Sequence, residues 1–195
     1  MTPTTQAIGR TTLAQKVAMV LAGTVVIAIS AQIAVPFFPV PMTLQTAAVL
    51  AVGMVLGARL GALTVVAYLA EGAMGLPVFA GFRSTAALAG PTAGFLVGFV
   101  GMAWLAGLAT DRGLRHPAAL AGVALAASAL LYVPGLLWPL AVAPLAGIEA
   151  GWAGMAPGAT LAAFATPYLL GDAVKAVLVA LAVSGGMVAL GRRRT

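Results

Sequence analysis

Residues 16–36 read KVAMVLAGTVVIAISAQIAVP. A basic residue, Lys16, stands at the head of an apolar run from Val17 to Val35, and Pro36 closes it. No Asp, Glu, Lys or Arg occurs between Lys16 and Arg59. A helix needs about 20 apolar residues to cross the ~30 Å hydrocarbon core of a bilayer. A run of this length, with prolines that cannot continue it, therefore reads as a transmembrane helix. The competing reading is a secretory signal, because Lys16 precedes the run and Ala28, Ser30 and Ala31 resemble a small-residue cleavage site. Continuation of the run to Val35, and the apolar character of the rest of the chain, favour a retained first helix.

Working outward, the whole chain has the same character. Its 195 residues are 62% apolar and 7% charged, with a mean hydropathy of +1.09, a balance that no single soluble core of this size hides. Lipid is the solvent for most of it. Five to seven spans fit, as one transmembrane domain over residues 1–195. The isoelectric point near 10.9 raises nucleic acid as a partner, but no basic stripe with interleaved aromatics is present, and most Lys and Arg residues sit at the ends of apolar runs. With no Cys and one His, His116, disulfides, thiolate metal sites, Cys nucleophiles and a His cluster are excluded, and no cofactor is expected.

The expected fold is an all-α integral membrane protein, a compact bundle of about six transmembrane helices at approximately 14–35, 45–57, 59–70, 91–109, 118–137 and 167–190. Between the second and third lies Gly57-Ala58-Arg59, which reads either as a tight turn or as the middle of one long helix. Residues 71–90 are Gly-rich, carry Pro77, Phe79, Phe82 and Arg83, and read as a long functional loop. Gly90, Gly94 and Gly98 recur at i, i+4, i+8 and allow another helix to approach the fourth closely. The stretch 138–166, broken by Pro139, Pro144 and Pro157, reads as a second loop with a short interfacial helix, with Trp138 and Trp152 at headgroup level.

Six spans place both termini on one side. With that side cytoplasmic, Arg10, Lys16, Arg59, Arg112, Arg115, Arg192, Arg193 and Arg194 all lie inside and only Arg83 lies on the outer loops, as the positive-inside rule requires. The chain is thus a multi-pass protein of the cytoplasmic membrane with both long irregular segments facing out.

Asp172 and Lys175 carry the most informative charges. Three residues apart at the start of the last helix, they share one helix face about 5–6 Å apart. An ionisable residue at membrane depth is costly and by default functional. The pair either makes the helix start tolerable to lipid or is shared with a polar ligand, Lys offering donors and Asp acceptors. Arg83 is either a solvated loop charge or a guanidinium that clamps a carboxylate. Gln45, at the lip of the bundle after the helix-capping Thr43, offers an amide. Tyr68, Phe79, Trp138 and Tyr168 are candidates for apolar walls and equally for interface anchors. Glu71 reads as a solvated or capping charge, and Asp111 and Glu149 as loop acids with no specific role. Scattered acids and a lone His argue against an intramembrane enzyme, and a channel would want rings of like residues along an axis.

Four ordered segments carry a resemblance: Pro39-Val40-Pro41-Met42-Thr43-Leu44-Gln45, Gly75-Leu76-Pro77-Val78-Phe79-Ala80-Gly81, Gly90-Pro91-Thr92-Ala93-Gly94-Phe95 and Gly171-Asp172-Ala173-Val174-Lys175. In order and spacing they resemble the BioY family, the biotin-specific substrate-binding (S) components of energy-coupling-factor (ECF) transporters. The likeness runs from the first helix to the last, departing at Tyr168, where Phe follows the proline in the family pattern, and at Ala93, where glycine is usual. The resemblance implies six helices and an outward-open biotin pocket in which Asp172 and Lys175 face the ligand with the loop between helices 3 and 4. It further implies an energising module of one membrane T protein and two cytoplasmic ATPases, which would hold the ATP, since the chain has no P-loop pattern. Ala14, Ala18 and Ala22 on helix 1 are the candidate docking surface for that module. The oligomeric state is open, a homo-oligomer included.

The topology has a direct test in this Cys-free chain. A membrane-impermeant thiol reagent applied to intact cells should leave single cysteines at positions 10 and 193 unlabelled; labelling of either would overturn the orientation.

Overall fold

The computed structural model describes residues 12–192, so Arg10, Arg193 and Arg194 lie outside the described residues. Helix α1 spans Leu13–Gln32 and starts with a capping box, Thr12 Oγ1 accepting from Gln15 N at 3.3 Å and Gln15 Oε1 from Thr12 N at 2.9 Å, which satisfies two otherwise orphaned donors. It ends three residues short of the expected Val35 because Ala34–Val35 (β1) leaves the helix to pair antiparallel with Met42–Thr43 (β2).

Backbone hydrogen bonding is helical from Gln45 to Ala73, yet this is two helices. Residues 45 and 68 of one straight helix would stand about 34 Å apart at 1.5 Å per residue. Instead Gln45 Nε2 donates to Tyr68 OH at 2.8 Å. The chain reverses at Gly57, whose φ of 82° and ψ of 172° belong to glycine, leaving α2 (45–56) and α3 (58–73) as an antiparallel hairpin. The tight-turn reading of Gly57-Ala58-Arg59 is the correct one.

Small residues hold this hairpin against α4 (Ala93–Asp111). A methyl on Gly53 would strike the Ala103 carbonyl, and one on Gly61 would lie 2.8 Å from Gly53 Cα. Gly107 rests on the backbone of Gly57 and Ala58. The turn is completed by Asp111: its Oδ2 accepts from Ala58 N at 3.0 Å, placing a carboxylate on the exposed amides and positive dipole end of α3. The sequence reading of Asp111 as a loop acid without a role is thereby corrected. Gly94 and Gly98 pack on Leu131, Pro134 and Trp138, the close approach expected of the Gly90-Gly94-Gly98 spacing.

Helix α5 (Pro117–Leu137) does not stop where expected. It continues through Pro134, a π-turn over Trp138–Val142 and a last helical turn at Ala143–Leu145, the widened turn accommodating the proline at 139. The expected outer loop therefore begins only after Leu145, and it contains the short helix α6 (Pro157–Phe164). The other loop is likewise shorter, since α3 runs to Ala73 and Ala80–Phe82 and Thr85–Ala89 form 3₁₀ turns. Helix α7 (Leu169–Arg192) completes the bundle. Counting the hairpin as two, the described residues hold six apolar helices besides the short α6, with α4 central and α1 and α7 peripheral, their apolar outer faces (Leu21, Val25 and Ile29; Val174, Leu178 and Leu181) exposed to lipid.

The cap on α3 predicts a stability effect away from any cavity. Asp111→Ala should lower stability by about 1 kcal/mol, read as a drop of a few degrees in the melting temperature of the detergent-solubilised protein. Asp111→Asn, which keeps a capping oxygen, should lose less than half as much.

Candidate functional site

The cavity forms where the loop of residues 33–44, between α1 and α2, meets the bundle. Pro36, Pro39 and Pro41 prevent helix and remove backbone donors, so this segment's polar demand falls on its carbonyls. Two find side-chain donors on the last helix or just before it: Lys175 Nζ donates to Thr43 O at 2.9 Å, and Tyr168 OH donates to the Val40 carbonyl. The loop is thus pinned to the start of α7, and Tyr168, which packs edge-on against Phe37 with ring centroids 5.8 Å apart, stands beside it.

Asp172 is the hub. Its Oδ1 lies 2.6 Å from Lys175 Nζ and accepts from Thr46 Oγ1 at 3.0 Å, while its Oδ2 accepts from Tyr132 OH at 2.6 Å. Three donors from α2, α5 and α7 converge on one carboxylate only 7% exposed, so the charge is both neutralised and hydrogen-bonded, the condition for burying it. A carboxylate offers about four lone-pair positions, which leaves acceptor capacity toward the cavity. Lys175 uses two of its three donors on Asp172 and Thr43, and the third remains.

Gln45 is oriented by a relay. Tyr68 OH donates to Val78 O at 3.0 Å and so must accept from Gln45 Nε2; at the other end Gln45 Oε1 accepts from Thr43 Oγ1 at 3.2 Å. The amide can turn only one way, and its second N–H is unused. Thr43 Oγ1 also accepts from Gln45 N at 3.2 Å, but it stands one residue before the N-cap, Leu44, rather than at the cap position expected of it.

These groups face a cavity of about 700 Å³, the open space at its mouth included. Of the candidate site residues named from the sequence, Asp172, Lys175, Gln45, Phe79, Tyr168 and Arg83 line it. Tyr68 does not: it is fully buried behind the wall, its ring edge-on to Phe79 at 5.2 Å, and acts on the cavity through Gln45 and Phe79. Trp138 is also outside the lining; its Nε1 donates to Gly90 O at 2.9 Å and ties α5 to the start of α4. Sequence reasoning missed Thr46, Tyr132, Phe95 and Phe99. A phenol alone in the apolar run of α5 was the available signal for Tyr132, whose ring meets Phe95 edge-on at 5.8 Å.

The arrangement is asymmetric. Its inner part holds a buried, internally neutral donor–acceptor cluster, and its walls are aromatic and aliphatic. At its mouth stands Arg83, exposed, with no side-chain hydrogen bond or ion pair among the described residues. Ala14, Ala18 and Ala22 do not line the cavity and lie on the exposed face of α1. Such a site can hold a molecule with a compact polar head, an apolar body and an anionic tail.

The sequence profile of the BioY family matches residues 2–192. The chain belongs to the BioY family. Among curated members, the biotin transporter BioY of Rhodobacter capsulatus is 40% identical over 150 residues, covering 74% of this chain and 77% of its own. A probable biotin transporter BioY of Pyrococcus horikoshii is 36% identical over 126 residues, covering 64% of this chain and 74% of its own. The fold matches the crystal structure of the S-component for biotin from an ECF-type ABC transporter, with a TM-score of 0.70 and 24% identity over 89% of this chain and 93% of that one. As BioY family membership and the apolar helices require, the chain is a multi-pass membrane protein.

The buried pair makes a prediction about charge. Lys175→Met strands the Asp172 carboxylate and should lower stability by on the order of 3 kcal/mol. Adding Asp172→Asn removes the stranded charge, so the double variant should melt above the single Lys175→Met variant. A double variant that melts lower still would show that the pair is not coupled.

Proposed function

We propose that this chain captures biotin from the outer side of the cytoplasmic membrane and serves as the substrate-binding subunit of an ECF-type transporter. The observation that carries the reading is the cavity's asymmetry, which matches biotin end for end. The ureido ring needs donors and acceptors together, and the Asp172–Lys175 cluster with Gln45 offers both. The thiophane ring and valeryl chain need apolar walls, and Phe79, Tyr168, Phe95 and Phe99 line the space between. The carboxylate needs a cation. Lys175 is already engaged with Asp172 and Thr43 O, so the carboxylate falls to Arg83, whose planar fork suits it.

Asp172 is proposed to accept from a ureido N–H, and Lys175 to donate to the ureido oxygen. Tyr68 supports the site without touching the ligand. The named function of the relatives agrees with this reading. The energising partner is an ECF module, in the form of one T protein and two ATPases; the exposed Ala14, Ala18 and Ala22 face of α1 offers the close-packing surface for its membrane subunit. No cofactor enters the proposal, and ATP is used only by the partner.

Isothermal titration of the purified chain without ATP should show biotin binding. Biotin amide, which lacks the negative charge, should bind roughly tenfold to a hundredfold more weakly, the worth of a charge-assisted hydrogen bond. In Arg83→Ala that gap should close to within a few-fold. No binding of biotin alongside clear binding of another vitamin would move the substrate to that vitamin, and an undiminished gap in Arg83→Ala would reassign the carboxylate.

A further inference from the structure

The mouth of the cavity is carried by a small loop with an unusual support. Phe79 N donates to Arg83 O at 3.0 Å, closing residues 79–83 into a ring. Within it Gly81 has φ 68° and Phe82 φ 56°; the left-handed region is natural for glycine and unfavourable for a bulky residue such as phenylalanine. Phe82 is 71% exposed, so packing does not hold it there. Its backbone N–H is held instead, donating to Gln32 Oε1 at 3.1 Å, while Gln32 Nε2 donates to Phe79 O at 3.1 Å and to Ala28 O of its own helix at 3.3 Å. Among the described residues, no other side chain of α1 hydrogen-bonds to another element.

Both ends of the ring line the cavity: Phe79, 1% exposed, forms its wall, and Ala80 and Arg83 its rim. The side-chain tie from α1 to the rest of the bundle therefore grips the segment that shapes the entrance.

We infer that Gln32 is a positioning residue for this cavity: its amide fixes the rim segment Phe79–Arg83 to the outer end of α1 and sets how readily the mouth opens. The ligand half of this inference rests on the biotin-binding reading; the loop half does not. Gln32 does not line the cavity itself, and acts through the Phe79 carbonyl and the Phe82 amide. Since α1 is peripheral and bonded to the rim through this amide, displacement of α1 is transmitted to the entrance.

Two measurements on Gln32→Ala test it. The first needs no ligand. In right-side-out membrane vesicles, Arg83 is an exposed tryptic site on the outer face, and cleavage after it should be roughly tenfold to a hundredfold faster than in the wild type, the range expected on losing two hydrogen bonds of ordinary net strength. The second is biotin dissociation, which should accelerate by a similar factor with Arg83 unchanged. Gln32→Glu keeps the shape and the acceptor for Phe82 N but loses the donor to Phe79 O, so it should fall between the two; if Gln32→Ala does not insert, Gln32→Glu against wild type carries the same comparison. Wild-type cleavage and dissociation rates in the variants would overturn the inference. If the wild type binds no biotin while cleavage still accelerates, the latch stands and the substrate reading falls; if the wild type binds biotin and neither rate changes, the reverse holds.

Discussion

A backbone carbonyl at membrane depth has no water to turn to, and the structure depends on how this chain answers that constraint. Helices satisfy it internally. The exception is the loop between α1 and α2, where three prolines forbid helix and the carbonyls of Val40 and Thr43 turn to side chains of the bundle; in a membrane protein, irregular backbone is tolerated where protein or a cavity receives it. Here Tyr168 and Lys175 receive it. The same two side chains line the cavity, so satisfying the loop and building the site are one event. Lys175, once drawn inward, needs a counter-charge, and Asp172 one helical turn earlier supplies it at 2.6 Å; Asp172 then draws donors from α2 and α5. A chain of polar obligations beginning with prolines ends as the polar lining of the cavity.

The site is accordingly polar without carrying net charge at its inner end. A neutral cluster of paired donors and acceptors costs far less to bury than a lone ion, and it keeps spare valences that a ligand can take up. The uncompensated charge is held back to Arg83 at the rim, where water reaches it. This separation gives the cavity a direction, with a paired polar cluster within and a cation at the rim.

The legibility of all this in the sequence depends on which forces act along the chain and which across it. Helices α1, α4, α5 and α7 are readable because hydrophobic length is local. Asp172 and Lys175 are readable because a charge in an apolar run is conspicuous whatever surrounds it. The hairpin at Gly57 stays ambiguous in sequence because α2 and α3 are individually short, and only the cross-hairpin bond between Gln45 and Tyr68 shows the reversal. Residue type alone puts Tyr68 in the cavity wall; that its ring points into the hairpin instead is a matter of helix rotation. Asp111 and Tyr132 escape sequence reading for one reason: their partners, Ala58 N and Asp172, lie 53 and 40 residues away. The end of α5 is misjudged because prolines that stop a helix in water are accommodated in a membrane by a π-turn.

The packing also divides the bundle mechanically. In α2, α3 and α4 the contacts are glycine on backbone, at Gly53, Gly61 and Gly107, and contacts of that kind leave no flexible side chain to absorb a shift. Those helices form one stiff wall of the cavity, contributing Gln45, Thr46 and Phe99. Two other parts of the lining are tied by side-chain hydrogen bonds: α7 through Asp172 and Lys175, and the rim through Gln32. Such bonds can be exchanged for bonds to water or ligand at little net cost, whereas interpenetrating backbones have no substitute. Change on ligand entry is therefore expected at the loops and at the peripheral helices, with the glycine-packed wall serving as the fixed reference against which they move.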